Sequence, residues 1–225
     1  MMKIKAVIFD MFETLVTHYK HPLYFGEQIA EDIGISNEDF QRIWNASDED
    51  RTIGKKTLET VLTDILEEYR IYSKERLNHI VSKRIATKQK CFDDLDVNIV
   101  PMFEELKRKD LKIALISNCF SEEVDLIHHS VLYAYFDKTY LSFEIGRKKP
   151  DLEIFKQCCL GLSVASEECL YVGDGASEEL EAASKVGMNA IQAGWYLEQS
   201  GQLEKKRKNN FPLIKTPMGV MEYLQ

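Results

Sequence analysis

The chain has no Cys-x-x-Cys pair, no internal repeat, no low-complexity stretch and no apolar run long enough to span a bilayer. Its five cysteines, Cys91, Cys119, Cys158, Cys159 and Cys169, are odd in number and include two neighbours. That pattern is neither a disulfide framework nor a zinc site, and it suits a reducing, cytoplasmic setting. The opening Met1-Met2-Lys3-Ile4-Lys5 leads into an apolar run too short for a signal peptide. Positive charge is scarce as well. With 29 Lys and Arg against 37 Asp and Glu, the net charge of −8 argues against a nucleic-acid partner, which needs a basic face. The one basic run, Lys205-Lys206-Arg207-Lys208, reads as a solvated loop or helix end. None of this disfavours a small anionic substrate, which requires only a local positive pocket. Composition says nothing of oligomeric state.

What is present is an alternation of strands and helices. Residues 4–9, 113–116 and 170–172 are short, continuous apolar runs ending at Asp10, at Ser117-Asn118 and at Gly173-Asp174. Strands of this kind belong to parallel sheets covered on both faces. Residues 188–192 and 211–214 read as two more. Helical patterns at 100–109, 151–160 and 177–186 lie between them, with Asp151 after Pro150 as an N-cap and Gly187 as a stop. The order implies an α/β fold, a doubly wound, Rossmann-like parallel sheet whose ligands sit at the carboxyl ends of the strands. From 17 to 98 there is no strand pattern, only helix-period segments at 23–33, 37–44, 56–69 and 73–88. We read this as an inserted α-helical cap subdomain, with residues 1–16 and 99–225 forming the core.

The strand ends carry chemistry that makes sense together. A carboxylate nucleophile approaching a phosphate dianion needs its repulsion cancelled by a divalent cation and a fixed ammonium. Asp10 is placed to be the nucleophile. Asp10 and Asp174 are hard oxygen ligands suited to Mg2+. Lys149 supplies the ammonium, Ser117 a hydroxyl for a phosphoryl oxygen, Asn118 an amide for substrate, and Glu179 a further carboxylate beside the metal. Of the neighbours Lys148 and Lys149, the inward role goes to Lys149 because it directly precedes Pro150-Asp151.

These four segments resemble, in order, the motifs of the haloacid dehalogenase-like superfamily. They are Asp10-Met11-Phe12-Glu13-Thr14, then Ser117-Asn118, then Lys149-Pro150-Asp151 after Ser142-Phe143-Glu144-Ile145-Gly146, and finally Val172-Gly173-Asp174 onward to Gly187-Met188. The resemblance implies a hydrolase whose helical cap follows the first motif, shields the site and selects a small, phosphorylated substrate. It also implies catalytic roles for Asp10, Ser117 and Lys149, and metal binding through Asp10, the Phe12 carbonyl and Asp174, with Glu179 outside them.

One position departs from the pattern. Phosphatases of this family carry a second Asp two residues after the nucleophile, which protonates the leaving alkoxide and activates water. Phe12 stands there and can do neither, although it still borders the substrate. Glu13 occupies a position where glycine is usual, and its side chain is expected to point elsewhere. The family's dehalogenases also lack the second Asp, because a halide leaves without a proton, but they lack a metal-type fourth motif as well. Gly173-Asp174 with Glu179 therefore favours a phosphatase. A 2-haloacid dehalogenase using Asp10, and a slow or non-catalytic phospho-ligand-binding relative, remain as alternatives. His18, His21, Tyr24, Trp44 and Arg51 are candidates for substrate contact in the cap, although each alone reads first as structural. Cys119 reads as a small buried filler, and His128-His129 lacks a further metal-ligand partner at helical spacing.

Overall fold

A computed structural model describes residues 3–224; Met1 and Met2, where the reading of the amino terminus begins, and Gln225 lie outside the described residues. Six parallel strands, β1 (Ala6–Phe9), β2 (Lys112–Ser117), β3 (Lys138–Leu141), β4 (Cys169–Gly173), β5 (Asn189–Ala193) and β6 (Leu213–Ile214), pair in the order β3-β2-β1-β4-β5-β6. Chain order reverses between β1 and β4, so the switch point where such sheets bind ligands lies where Asp10 and Asp174 emerge.

Strand parity explains why both faces are covered. Successive side chains point to opposite faces. Val7, Phe9, Ile113, Leu115, Leu170 and Val172 join one buried cluster, and Ala6, Ile8, Ala114, Ile116, Cys169 and Tyr171 join the other. The first packs on α6 (Ile99–Arg108) through Met102, Phe103 and Leu106. The second packs on α9 (Leu152–Leu162) and α10 (Glu179–Lys185). Asp151 caps α9 as expected, its Oδ1 accepting from the Glu153 N–H at 2.9 Å.

Between β1 and β2 lie α1 (Gly26–Ile33), α2 (Asn37–Ala46), α3 (Asp48–Thr52), α4 (Leu58–Glu68) and α5 (Lys74–Asp93). Their apolar faces form a third core of their own, centred on Ile29, Phe40, Trp44, Leu62, Ile65 and Ile80. This is the inserted cap. Its last helix reaches the main core, where Cys91 and Phe92 are buried. The seam between the two bodies carries buried charges. Arg84 Nε meets Glu122 Oε1 at 2.6 Å, Lys88 pairs with Glu123, and all four side chains are at most 4 % exposed. The Leu58 N–H donates to Ser121 Oγ at 2.9 Å across the same seam.

The structure corrects several expectations. Strand β3 and α7 (Ser121–His129) were not anticipated. Residues of β3 are half-exposed at a sheet edge and lack the continuous apolar run of the central strands. The helix read at 177–186 begins only at Glu179, because Ser177 and Glu178 take left-handed backbone (φ 51° and 50°). The basic run is a helix end in its first half, since Lys205 and Lys206 close α12 (Leu203–Lys206), but its second half is not freely solvated: Arg207 donates to Gln192 Oε1 and the Phe211 carbonyl, and Lys208 pairs with Glu181 at 3.0 Å. No helix among the described residues is long and apolar enough to cross a membrane.

The loop after β1 is anchored from the far side of the core. Trp195 Nε1, on α11 (Trp195–Gln199), donates to the Thr14 carbonyl at 2.9 Å. Trp195→Phe leaves that buried carbonyl unpaired and should lower unfolding free energy by about 1–3 kcal/mol in chemical denaturation. An unchanged midpoint would show that the loop does not depend on this bond.

Candidate active site

Asp10 is 6 % exposed at the end of β1, where its N–H donates to the Val172 carbonyl at 2.9 Å. One carboxylate oxygen accepts from Thr14 Oγ1 at 3.2 Å and the other pairs with Lys149 Nζ. Lys149 also meets Glu179 Oε2 at 2.5 Å and Tyr171 Oη at 3.3 Å. Burial alone would depress this ammonium, but Asp10 and Glu179 outweigh it and hold Lys149 above its ordinary range. Lys148 turns away to Glu49, so of the two neighbours it is Lys149 whose side chain faces Asp10.

Glu179 is fully engaged. Oε2 accepts from Tyr171 Oη at 2.9 Å as well as from Lys149, and Oε1 accepts from the Gly175 N–H at 3.0 Å. A Cβ at position 173 would lie 2.1 Å from Oε1, so Gly173 is the residue that lets this carboxylate approach. Asp174 Oδ1 takes the Ala176 N–H at 2.9 Å, whereas buried Oδ2 has no hydrogen-bond partner among the described residues; Lys206 Nζ stands 3.6 Å from it. Asp10, Asp174 and Glu179 each offer an oxygen within 4.8 Å of the others. Three buried carboxylates around one buried ammonium leave negative charge uncompensated, and Asp174 Oδ2 leaves a lone pair unused. A divalent, oxygen-seeking cation fits both deficits.

Ser117 is fully buried at the end of β2, with Oγ 3.4 Å from the Asn118 carbonyl. Asn118 was expected to meet substrate, but its amide is committed to Lys149: Nδ2 donates to the Lys149 carbonyl at 3.0 Å and Oδ1 accepts from the Lys149 N–H at 2.8 Å. It thus holds the lysine loop to the second strand. The Phe12 ring stacks on His18 (centroids 4.9 Å, 16°) and meets Phe92 edge-on at 6.3 Å. Glu13 takes φ 60°, the conformation that glycine adopts freely. Its carboxylate turns into the loop, accepting from Thr17 Oγ1 at 2.5 Å and from the His18 N–H at 3.0 Å, with His18 Nδ1 3.1 Å away.

The family model for haloacid dehalogenase-like hydrolases matches residues 4–187, most of the chain. The chain belongs to that family. A glyceraldehyde 3-phosphate phosphatase of Methanocaldococcus jannaschii is 29% identical over 89 residues, 39% of each chain. Matches to curated relatives span about half or less of those proteins' own length. The fold is that of solved members. A family enzyme of Bacteroides thetaiotaomicron, in complex with magnesium and inorganic phosphate, aligns with TM-score 0.64 and 21% identity over 84% of this chain and 94% of that one. A 2-haloacid dehalogenase of Pseudomonas syringae aligns with TM-score 0.72 and 19% identity over 98% of both.

Two participants carried no sequence signal in this family member. Tyr171 looks like any strand residue until its hydroxyl is seen bridging Lys149 and Glu179. Lys206 is one of four adjacent basic residues, and only the docking of α12 singles it out beside Asp174.

Asp174 supplies a test of the uncompensated charge. Burial, and next the Asp10 charge, push its carboxyl up to about 6, against the Ala176 N–H and the Lys206 and Lys149 ammoniums. A raised carboxyl means that the folded protein prefers the protonated form. In metal-free protein this residue's stabilising contribution is therefore full below about pH 4 and is lost as pH climbs through 6. In chelator, melts of the wild type and Asp174→Asn should diverge between pH 4 and 7, the variant gaining about 1–3 kcal/mol relative to wild type. A constant offset across that range would show that Asp174 carries no such strain.

Proposed function

We propose that this protein is a magnesium-dependent small-molecule phosphatase that works through an aspartyl-phosphate on Asp10. The observation that carries the reading is the charge deficit around Asp10, where three buried carboxylates surround one buried ammonium and Asp174 Oδ2 has no hydrogen-bond partner among the described residues, only the part-exposed Lys206 Nζ 3.6 Å away. Asp10, Asp174 and the Phe12 carbonyl would hold the cation, with Glu179 behind them fixing Lys149. The bound ion supplies positive charge that lets a carboxylate approach a phosphate dianion. The phosphatase names among the curated relatives, and the magnesium and phosphate of the Bacteroides structure, support the same choice. Residues 17–98 act as the cap over a core of 1–16 and 99–225. Five free cysteines suit a reducing, cytoplasmic setting.

In this scheme Asp10 attacks phosphorus and the bond to the leaving oxygen breaks, its electron pair departing with that oxygen. Lys149 neutralises charge on the transferring group, and Ser117 Oγ donates to a phosphoryl oxygen. Asn118 keeps Lys149 in place through its backbone. Water then cleaves the aspartyl-phosphate. Phe12 offers no proton to the leaving group, so general acid help, typically worth 10²–10⁴-fold, is absent from that position.

Asp10→Asn should abolish phosphate release while the protein still folds, as judged by its circular dichroism spectrum and a cooperative melt. Substantial residual turnover would remove Asp10 from the mechanism. The wild-type rate should fall steeply as leaving-group pKa rises, aryl and acyl phosphates outrunning alkyl esters. Phe12→Asp should raise alkyl ester turnover by about 10²-fold if it remains folded. A flat series would overturn the account of Phe12. Metal-independent halide release from a 2-haloacid would move the assignment to dehalogenase. Phospho-ligand binding without turnover of any ester would move it to a non-catalytic relative.

A further inference from the structure

Two of the five free cysteines are brought face to face by the fold. Cys159 lies in the last turn of α9 and Cys169 is the first residue of β4, with the part-exposed connection 163–168 between them. Their Sγ atoms stand 3.8 Å apart. Cys159 Sγ is also 3.7 Å from Ser166 Oγ, and Cys169 Sγ is 3.4 Å from the Ala165 carbonyl. The pair sits at the amino end of β4, whereas Asp174 follows its carboxyl end, so the phosphatase reading uses neither thiol.

The other three thiols are placed to be inert. Burial pushes Cys91 up to about 11, Cys119 up to about 12 and Cys158 well above the ordinary range. Cys158 adjoins Cys159 in sequence, but neighbours on a helix do not face each other. Cys159 runs the other way. The hydrogen bond from the Cys169 thiol, helped by Ser166, brings it down to about 7 against its burial. Giving that bond holds Cys169 up. Cys159 is also the outer member, 5 % exposed against 0 % for Cys169, and the next residue on the helix, Leu160, stands in solvent. A sulfur that ionises readily near the surface, with a protonated thiol touching it from behind, is the arrangement of an attacking and a resolving cysteine.

The geometry points to Cys159 and Cys169 as a redox site that takes a small hydroperoxide and closes to a reversible disulfide between α9 and β4. In the first step the Cys159 thiolate attacks one peroxide oxygen. The S–O bond forms, the O–O bond breaks, and the second oxygen leaves as hydroxide and takes up a proton to become water. Cys169 then attacks the sulfenic sulfur of Cys159. The S–S bond forms, the S–O bond breaks, and that oxygen departs as water with the Cys169 proton. Two thiols and one hydroperoxide thus give one disulfide and two waters, the sulfurs losing the two electrons that the peroxide gains. Closing the pair from 3.8 Å to about 2.0 Å moves each sulfur by about 0.9 Å. In a reducing compartment, cysteine pairs that oxidise do so transiently, as sensors or catalysts.

The test treats the folded, fully reduced chain with hydrogen peroxide, blocks the remaining thiols and maps the peptides by mass spectrometry. Cleavage at Lys156 and at Glu167 or Glu168 puts Cys159 and Cys169 on separate peptides, so their link is read directly. Two of the five thiols should be lost, joined to each other, and restored by dithiothreitol. Thiol loss in wild type should outpace that in Cys159→Ala by at least roughly 10-fold, because the remaining thiols are protonated. Cys169→Ala should stop at a sulfenic acid on Cys159 that dimedone traps, and Cys158→Ala should react as wild type does. Five surviving thiols while glutathione in the same vessel is oxidised would overturn the inference. So would a link through Cys91, Cys119 or Cys158, or equal thiol loss in Cys159→Ala. Should an alanine variant not fold, the wild-type peptide map decides alone.

Discussion

One ammonium, Lys149 Nζ, holds the centre of this molecule together. It lies buried between Asp10 and Glu179, on a loop distant in sequence from both. In a low-dielectric interior an unpaired carboxylate is costly, and removing one partner of a buried ion pair typically costs about 3–5 kcal/mol. The fold is arranged around keeping that contact. Asn118 fastens the lysine loop to β2, Tyr171 steadies the far carboxylate from β4, and the bare Gly173 lets Glu179 approach. The restraints come from β2 and β4, which flank β1 and its Asp10 on either side, so the contact is built at the switch point of the sheet and not within a single loop.

The same contact leaves the site one step short of balance. Lys149 cannot neutralise three carboxylates, and Lys206 at 3.6 Å from Asp174 is half in solvent. A site with this excess of carboxylates is one that a divalent, oxygen-seeking cation would fit. The seam above repeats the pattern with the opposite sign. There the buried cations outnumber the carboxylates, and Arg51 is left with a free donor.

Phe12 fits this arrangement as a packing residue, since its ring lies against His18 and Phe92 and forms part of the contact between the first loop and the cap helix α5. Glu13, standing where a left-handed backbone makes glycine the easy choice, compensates by tying its carboxylate to Thr17 and His18. Two departures from the family pattern thus meet in one loop, each tied to His18. Trp195 reaches across from the end of the sheet to hold the same loop at Thr14.

Much of this was legible in the residues themselves. Continuous apolar runs ending in Asp10, Ser117 and Gly173-Asp174 specify buried parallel strands with polar ends, because only a strand covered on both faces is apolar throughout. The helix-period stretch from 17 to 98 likewise specified a separate helical layer, since no strand pattern interrupts it. The edge strand β3 was invisible because a half-exposed strand has no continuous apolar signature. The partners of buried charges were invisible for a different reason. Whether Lys148 or Lys149 turns inward, whether Asn118 faces substrate or the lysine backbone, and whether Arg51 keeps a free donor depend on distances between segments far apart in sequence. Sequence periodicity sets which face a side chain occupies; only tertiary packing sets which charge it meets there.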